Sequence, residues 1–145
     1  MNKRRITAIL FAVAYTALLL KLIVFKYPPG HVTFGEANLI PFKTILTYLS
    51  GHPTWIVARN NLVGNIVLFV PLGVLLALIP KRPLKSIAVI AVSLGIGVAM
   101  EVTQAVLHKG VFDIDDIILN ALGVAVGCLL TAAIIKHINK NKQQS

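Results

Sequence analysis

The chain has 145 residues, of which 57% are hydrophobic and only 13% are charged. Its mean hydropathy is +0.82, so water is not its main solvent and a soluble globular domain is excluded. The net charge of +9 does not indicate nucleic-acid binding, because the basic residues lie between long apolar runs and form no single stripe. Cys128, in an apolar stretch, is the one cysteine of the sequence. A single cysteine has no partner in the same chain, which excludes an intrachain disulfide framework.

Four windows are long and apolar enough to cross about 30 Å of hydrocarbon, which takes about 20 helical residues. They cover residues 6–25, 62–79, 87–107 and 117–138. Pro80 and Pro83 bracket a tight basic turn, which predicts an antiparallel hairpin of the second and third helices. We expect the last two helices to form another hairpin. The predicted fold is all-α, a single membrane domain over residues 1–145 with four transmembrane helices in two antiparallel hairpins.

The orientation follows from the distribution of Lys and Arg, which are in excess on cytoplasmic flanks. The N-terminal flank, the turn at residues 81–85 and the C-terminal end carry most of them. We therefore expect a multi-pass protein with both termini in the cytoplasm.

The first outer loop contains a second apolar pattern, within residues 38–50. Its apolar residues recur at helical spacing: Leu39, Phe42, Ile45, Leu46 and Leu49. The pattern is typical of a short interfacial helix on the outer leaflet. An ordinary loop with a few buried anchors fits it equally well.

Polar residues interrupt three of the spans near their predicted outer ends. The third span carries Glu101, Gln104 and His108 on one face, followed by Lys109 in the loop. The fourth carries Asp113, Asp116 and Asn120 in one stripe, and the second begins near Arg59, Asn61 and Asn65. Asp115 lies off this stripe, so we expect it to be hydrated or to cap the start of the fourth span.

Single amides of this kind commonly form hydrogen bonds between membrane helices and need no function. A whole cluster of carboxylates and amides at one depth costs more desolvation than packing returns, which favours a functional site. The residues that we expect to bind are Asn61, Asn65, Gln104, Asn120, Arg59, His108 and Lys109. Glu101, Asp113 and Asp116 are the candidates for catalysis. The sequence contains no complete metal motif, and it does not establish whether a cofactor binds.

These motifs together resemble the VanZ-like family. They are NLIPFKTI at residues 38–45, NLVGNIVLFVPLG at 61–73, EVTQ at 101–104, and the spaced residues Asp113, Asp116, Asn120, Gly123 and Gly127. The resemblance implies a small multispanning protein of the bacterial cell envelope, whose namesake lowers sensitivity to teicoplanin. It also implies an arginine shortly before Asp113, and this chain has Lys109 in that stretch.

Three functions remain open. The first is a resistance factor whose polar cluster binds a lipophilic or lipid-linked molecule, such as a lipoglycopeptide or a lipid-linked cell-wall precursor. The second is an intramembrane enzyme in which Glu101 acts as general acid or base, with Asp113 and Asp116 as its partners or as ligands of a divalent cation. The third is a small transporter, which would have to be an oligomer because four short spans enclose little space.

Overall fold

The computed structural model describes residues 3–25, 37–80 and 84–143. The described chain forms five helices: α1 (Lys3–Phe25), α2 (Lys43–Leu49), α3 (Trp55–Leu78), α4 (Ser86–Val106) and α5 (Ile114–Gln143). No strand occurs in these ranges, where the only extended pairing is an isolated bridge between Asn38 and Asp113. The prediction of an all-helical fold is confirmed for this part of the chain.

Within the described residues, three helices are long and apolar enough to cross a membrane, namely α3, α4 and α5. In α1 the apolar stretch is shorter, from Ile9 to Leu22. Many large apolar side chains on these helices are exposed, including Leu10, Val106 and Leu129. Lipid is the environment in which such surfaces are stable. The predicted turn centred on residues 81–83 lies outside the described residues.

Two helices, α3 and α5, extend furthest beyond the predicted spans. α3 begins at Trp55 rather than near residue 62, because the Thr54 side chain accepts a hydrogen bond from the Val57 amide at 3.3 Å and caps the helix. α5 already begins at Ile114 and continues to Gln143. Hydropathy marks only the stretch that fits in hydrocarbon, whereas caps and hydrogen bonds decide where a helix ends.

The closest packing joins α3 to α5, which are not neighbours in sequence. A Cβ atom at Gly123 would overlap the carbonyl oxygen of Ile66, and one at Gly127 would overlap that of Val70. Because the contacts advance in the same direction along both helices, α3 and α5 run parallel. Small residues permit this backbone approach between membrane helices. These contacts do not establish the predicted pair of hairpins, since α3 packs mainly on α5 rather than on α4.

The other two long helices complete a bundle around α3 and α5. α4 runs antiparallel to α5, because Gly97 faces Ile117 while Glu101 reaches Asp113. α1 packs on α3 and α4, and its buried Tyr15 hydroxyl donates a hydrogen bond to the Leu68 carbonyl at 2.7 Å.

The close approach of α3 and α5 predicts that Gly127→Ala destabilises the bundle. The added methyl must push the two backbones apart, and overpacking of this kind costs about 1–3 kcal/mol. Thermal unfolding of the purified chain in detergent should show a lower Tm. Gly95→Ala is the matched control, because a Cβ at Gly95 meets no atom within 4 Å. Equal Tm values for both variants would contradict the described packing.

Candidate functional site

Asp113 joins the loop before α2 to the start of α5. Its carboxylate accepts hydrogen bonds from Asn38 Nδ2 at 2.8 Å and from the Thr44 hydroxyl at 2.6 Å. The Asn38 backbone pairs with both flanks of Asp113, donating to the Phe112 carbonyl and accepting from the Ile114 amide. The candidate catalytic residue Asp113 therefore has its oxygens engaged in holding two segments of the chain together.

Asp115 forms a second connection between the same two segments of the chain, and its environment differs from the prediction. It is 0% exposed, so it is not hydrated. Its carboxylate accepts three backbone N–H bonds, from Phe42 at 2.6 Å, Thr44 at 2.7 Å and Ile45 at 3.1 Å. These are amides at the N-terminus of α2, which have no partner within their own helix. Asp115 thus caps α2 and not the fourth span; we call Asn38, Thr44, Asp113 and Asp115 the loop clasp.

Residues 38–50, which bond to the clasp, were predicted to be either an interfacial helix or a loop. A helix is present, but it is limited to Lys43–Leu49, shorter than the predicted pattern. Phe42 precedes it with φ 67° and supplies no side-chain cap. The carboxylate of Asp115, which is distant in sequence, takes the place of that cap. The apolar side chains of Leu39, Phe42, Leu46 and Leu49 are exposed.

A cavity of about 380 Å³ opens between α1, α3, α4 and α5. Its lining includes six of the residues singled out from the sequence: Asn61, Asn65, Glu101, Gln104, Asp116 and Asn120. The remaining wall is mostly apolar and includes Leu19, Leu68 and Met100. The structure therefore brings together most of the predicted polar cluster, contributed by three helices.

Two carboxylates line this cavity from the neighbouring helices α4 and α5. Asp116 on α5 accepts a hydrogen bond from Asn65 Nδ2 on α3 at 2.6 Å. Glu101 on α4 is 2% exposed, and its Oε2 accepts a hydrogen bond from the Asp113 amide at 3.0 Å. The same Asp113 that anchors the loop clasp therefore orients Glu101, so the cavity and the clasp are mechanically connected.

Asn120 brings a buried side-chain atom without a hydrogen-bond partner to the wall of the cavity. It is 3% exposed, and within the described chain its Oδ1 atom has no hydrogen-bond partner. A buried polar atom in this state costs about 1–3 kcal/mol. A donor that enters the cavity, from water or from a ligand, would recover part of that free energy.

Two further lining residues were missed by the sequence analysis, Lys21 and Asn60. Lys21 interrupts the apolar run of α1, and an ionisable residue inside a span is by itself a signal of a site. Asn60 lies beside Arg59, whose guanidinium donates to Asn60 Oδ1 at 3.2 Å.

Four predicted site residues do not line the cavity: Arg59, His108, Lys109 and Asp113. Arg59 and His108 are exposed, and His108 has φ 52° in the turn after α4. The Lys109 amide donates to the Gln104 carbonyl at 2.8 Å and closes the end of α4. Within the described chain, no group of three or more His, Cys, Asp or Glu side chains is arranged to hold a metal ion.

A family model described as VanZ/LLP1 matches residues 11–136. The chain belongs to the VanZ-like family. The match includes the loop clasp and all the cavity-lining residues named above, so these features lie in the VanZ-like region of the chain. No curated protein and no solved structure matches the chain.

The loop clasp predicts that Asp115→Ala releases the N-terminus of α2. Three backbone amides lose a charged acceptor, and a hydrogen bond to a charged group contributes about 1.5–3 kcal/mol. Hydrogen exchange at the Phe42, Thr44 and Ile45 amides should accelerate by at least about tenfold. Thr47→Val is the control, because its hydroxyl bonds only within α2, to the Lys43 carbonyl. Unchanged protection in Asp115→Ala would contradict the capping role.

Proposed function

We propose that this protein lowers the sensitivity of bacteria to glycopeptide and lipoglycopeptide antibiotics such as teicoplanin, by binding a lipophilic or lipid-linked molecule in the cavity. Membership of the VanZ-like family suggests a membrane-associated antibiotic resistance protein at the level of the family. The ligand would be the antibiotic with its acyl chain or the lipid-linked cell-wall precursor that the antibiotic recognises. Affinity would come from burial of apolar surface, and specificity from a few placed polar groups.

The observation that carries this proposal is the unpartnered Oδ1 of Asn120, a residue that lines a cavity with both polar and apolar walls. Leu68 and Met100 offer apolar surface to a chain, while Asn61 and Asn65 offer amides to a polar head. This mixture fits an amphipathic ligand better than an ion or a wholly polar solute. It also explains why so many costly polar groups are kept among membrane-type helices.

The loop clasp supports a route to the cavity from the membrane surface. α2 and the residues before it expose Leu39, Phe42 and Leu46, a surface suited to the boundary between headgroups and acyl chains. Asp113 connects this surface to Glu101. A molecule that displaces the exposed segment would therefore disturb a group that lines the cavity.

We also propose four spans with both termini in the cytoplasm, which places the cavity in the outer half of the membrane. The asymmetry of Lys and Arg supports this orientation. An impermeant thiol reagent should label Thr54→Cys from outside intact cells and should not label Ser86→Cys, in a Cys128→Ala background. The reverse labelling would overturn the orientation.

A catalytic role has one specific observation in its favour. Glu101 and Asp116 line the same cavity, and Glu101 is nearly inaccessible to solvent. A buried carboxylic acid beside a bound substrate can act as general acid or base. In this alternative, Glu101 would move a proton on a lipid-linked envelope substrate, with Asp116 as its partner.

The experiment is the teicoplanin sensitivity of a susceptible host that expresses the wild type, Asn120→Ala or Glu101→Gln at matched membrane levels. We expect wild-type protection, and a clear loss in Asn120→Ala because the amide no longer reaches the ligand. A lost hydrogen bond contributes about 1 kcal/mol, a roughly fivefold change in affinity. Glu101→Gln keeps hydrogen bonding but not proton transfer, so binding predicts that protection largely survives and catalysis predicts that it disappears.

Thr103→Val is the control for expression and folding. Its hydroxyl donates only to the Ala99 carbonyl of the same helix, at 2.6 Å, and Thr103 does not line the cavity. Protection equal to wild type in Asn120→Ala would contradict the cavity as the site, and no protection by the wild type would contradict the proposed function.

A further inference from the structure

A second concave surface lies at the opposite end of α5 from the loop clasp. It is a groove of about 1050 Å³ between the end of α3, the start of α4 and the C-terminal half of α5. We call it the α4–α5 groove. It shares no lining residue with the cavity that holds Glu101 and Asn120, so its role is separate from the function proposed above.

The α4–α5 groove changes from apolar to basic along α5. Between Ala125 and Ile135 its walls are mostly apolar and include Val89, Ile90 and Ile135. Farther along, Lys136 and Lys140 line it together with Asn139 and Gln143. These four residues are spaced three, one and three apart, so they occupy one face of the helix. No Asp or Glu is among the described residues that line the groove.

The dimensions of this gradient match one leaflet of a membrane. The apolar lining of the groove on α5 extends from Ala125 to Ile135, a rise of about 15 Å, which equals the half-thickness of a hydrocarbon core of about 30 Å. The lysines follow within the next turns, where their long side chains can extend towards the headgroups. An apolar wall at the depth of acyl chains therefore continues into a basic rim at the depth of phosphates.

We propose that the α4–α5 groove binds an anionic phospholipid. Its acyl chains lie against Val89, Ile90 and Ile135, and its phosphate contacts Lys136 and Lys140. The bulk bilayer covers any apolar helix face, but two lysines aligned with the groove select the headgroup by charge. A second copy of the chain is a poorer occupant, because in a twofold interface the lysine-bearing patch would face itself.

The test is lipid binding by the full-length chain in detergent, measured by native mass spectrometry. The protein is titrated with phosphatidylglycerol and, separately, with phosphatidylcholine of the same acyl chains. We expect tighter binding of phosphatidylglycerol. Lys136→Ala and Lys140→Ala should each weaken it roughly fivefold, the equivalent of about 1 kcal/mol per lysine, and leave phosphatidylcholine unchanged.

Lys142→Ala is the matched control, because it removes the same charge from the same helix at a residue that does not line the groove. Ala132→Trp provides a second test, since it fills the groove and should weaken both lipids, whereas Ala133→Trp lies off the groove and should not.

Equal affinity of the wild type for the two lipids would overturn the proposal. So would an equal loss in Lys142→Ala and Lys136→Ala, which would indicate only diffuse attraction. A dimer that Ala132→Trp abolishes and Ala133→Trp preserves would assign the groove to a second copy instead.

Discussion

The contact between α3 and α5 is the constraint on which the rest of the structure depends. The absence of side chains at Gly123 and Gly127 lets the carbonyl groups of Ile66 and Val70 lie against the backbone of α5. Between helices that are separate in sequence, lipid supplies no hydrophobic driving force, so such close packing must supply the attraction. The same contact brings Asn65 within 2.6 Å of Asp116 and places Asn120 beside the cavity.

Sequence reasoning identified the features that depend on one helix at a time. The apolar windows predicted the long helices, and the helical period placed Glu101 with Gln104 and Asp116 with Asn120. What it missed requires two distant segments. Asp115 caps a helix 71 residues away in the chain, and no local sequence pattern predicts this contact. The parallel packing of α3 on α5 likewise cannot be predicted from hydropathy, which does not determine which helices become neighbours.

The two halves of α5 carry different chemistry. Its first half presents Asp115 to the loop clasp and Asp116 and Asn120 to the cavity. Its second half presents Lys136 and Lys140 to an apolar groove. In our account, one helix holds an amphipathic ligand at one face of the membrane and is anchored by an anionic lipid at the other. The buried polar groups at the first end are retained at a cost in stability, which is typical of groups kept for binding.

The central claim is that the cavity binds the acyl or lipid-linked molecule. Its most direct test is photolabelling of the membrane-embedded protein with a diazirine-bearing teicoplanin analogue, followed by mass-spectrometric mapping of the modified residues. The account predicts adducts on cavity-lining residues such as Leu68 and Met100, which excess unmodified teicoplanin suppresses. Adducts confined to outward-facing residues such as Val102 and Leu122, undiminished by the competitor, would contradict it.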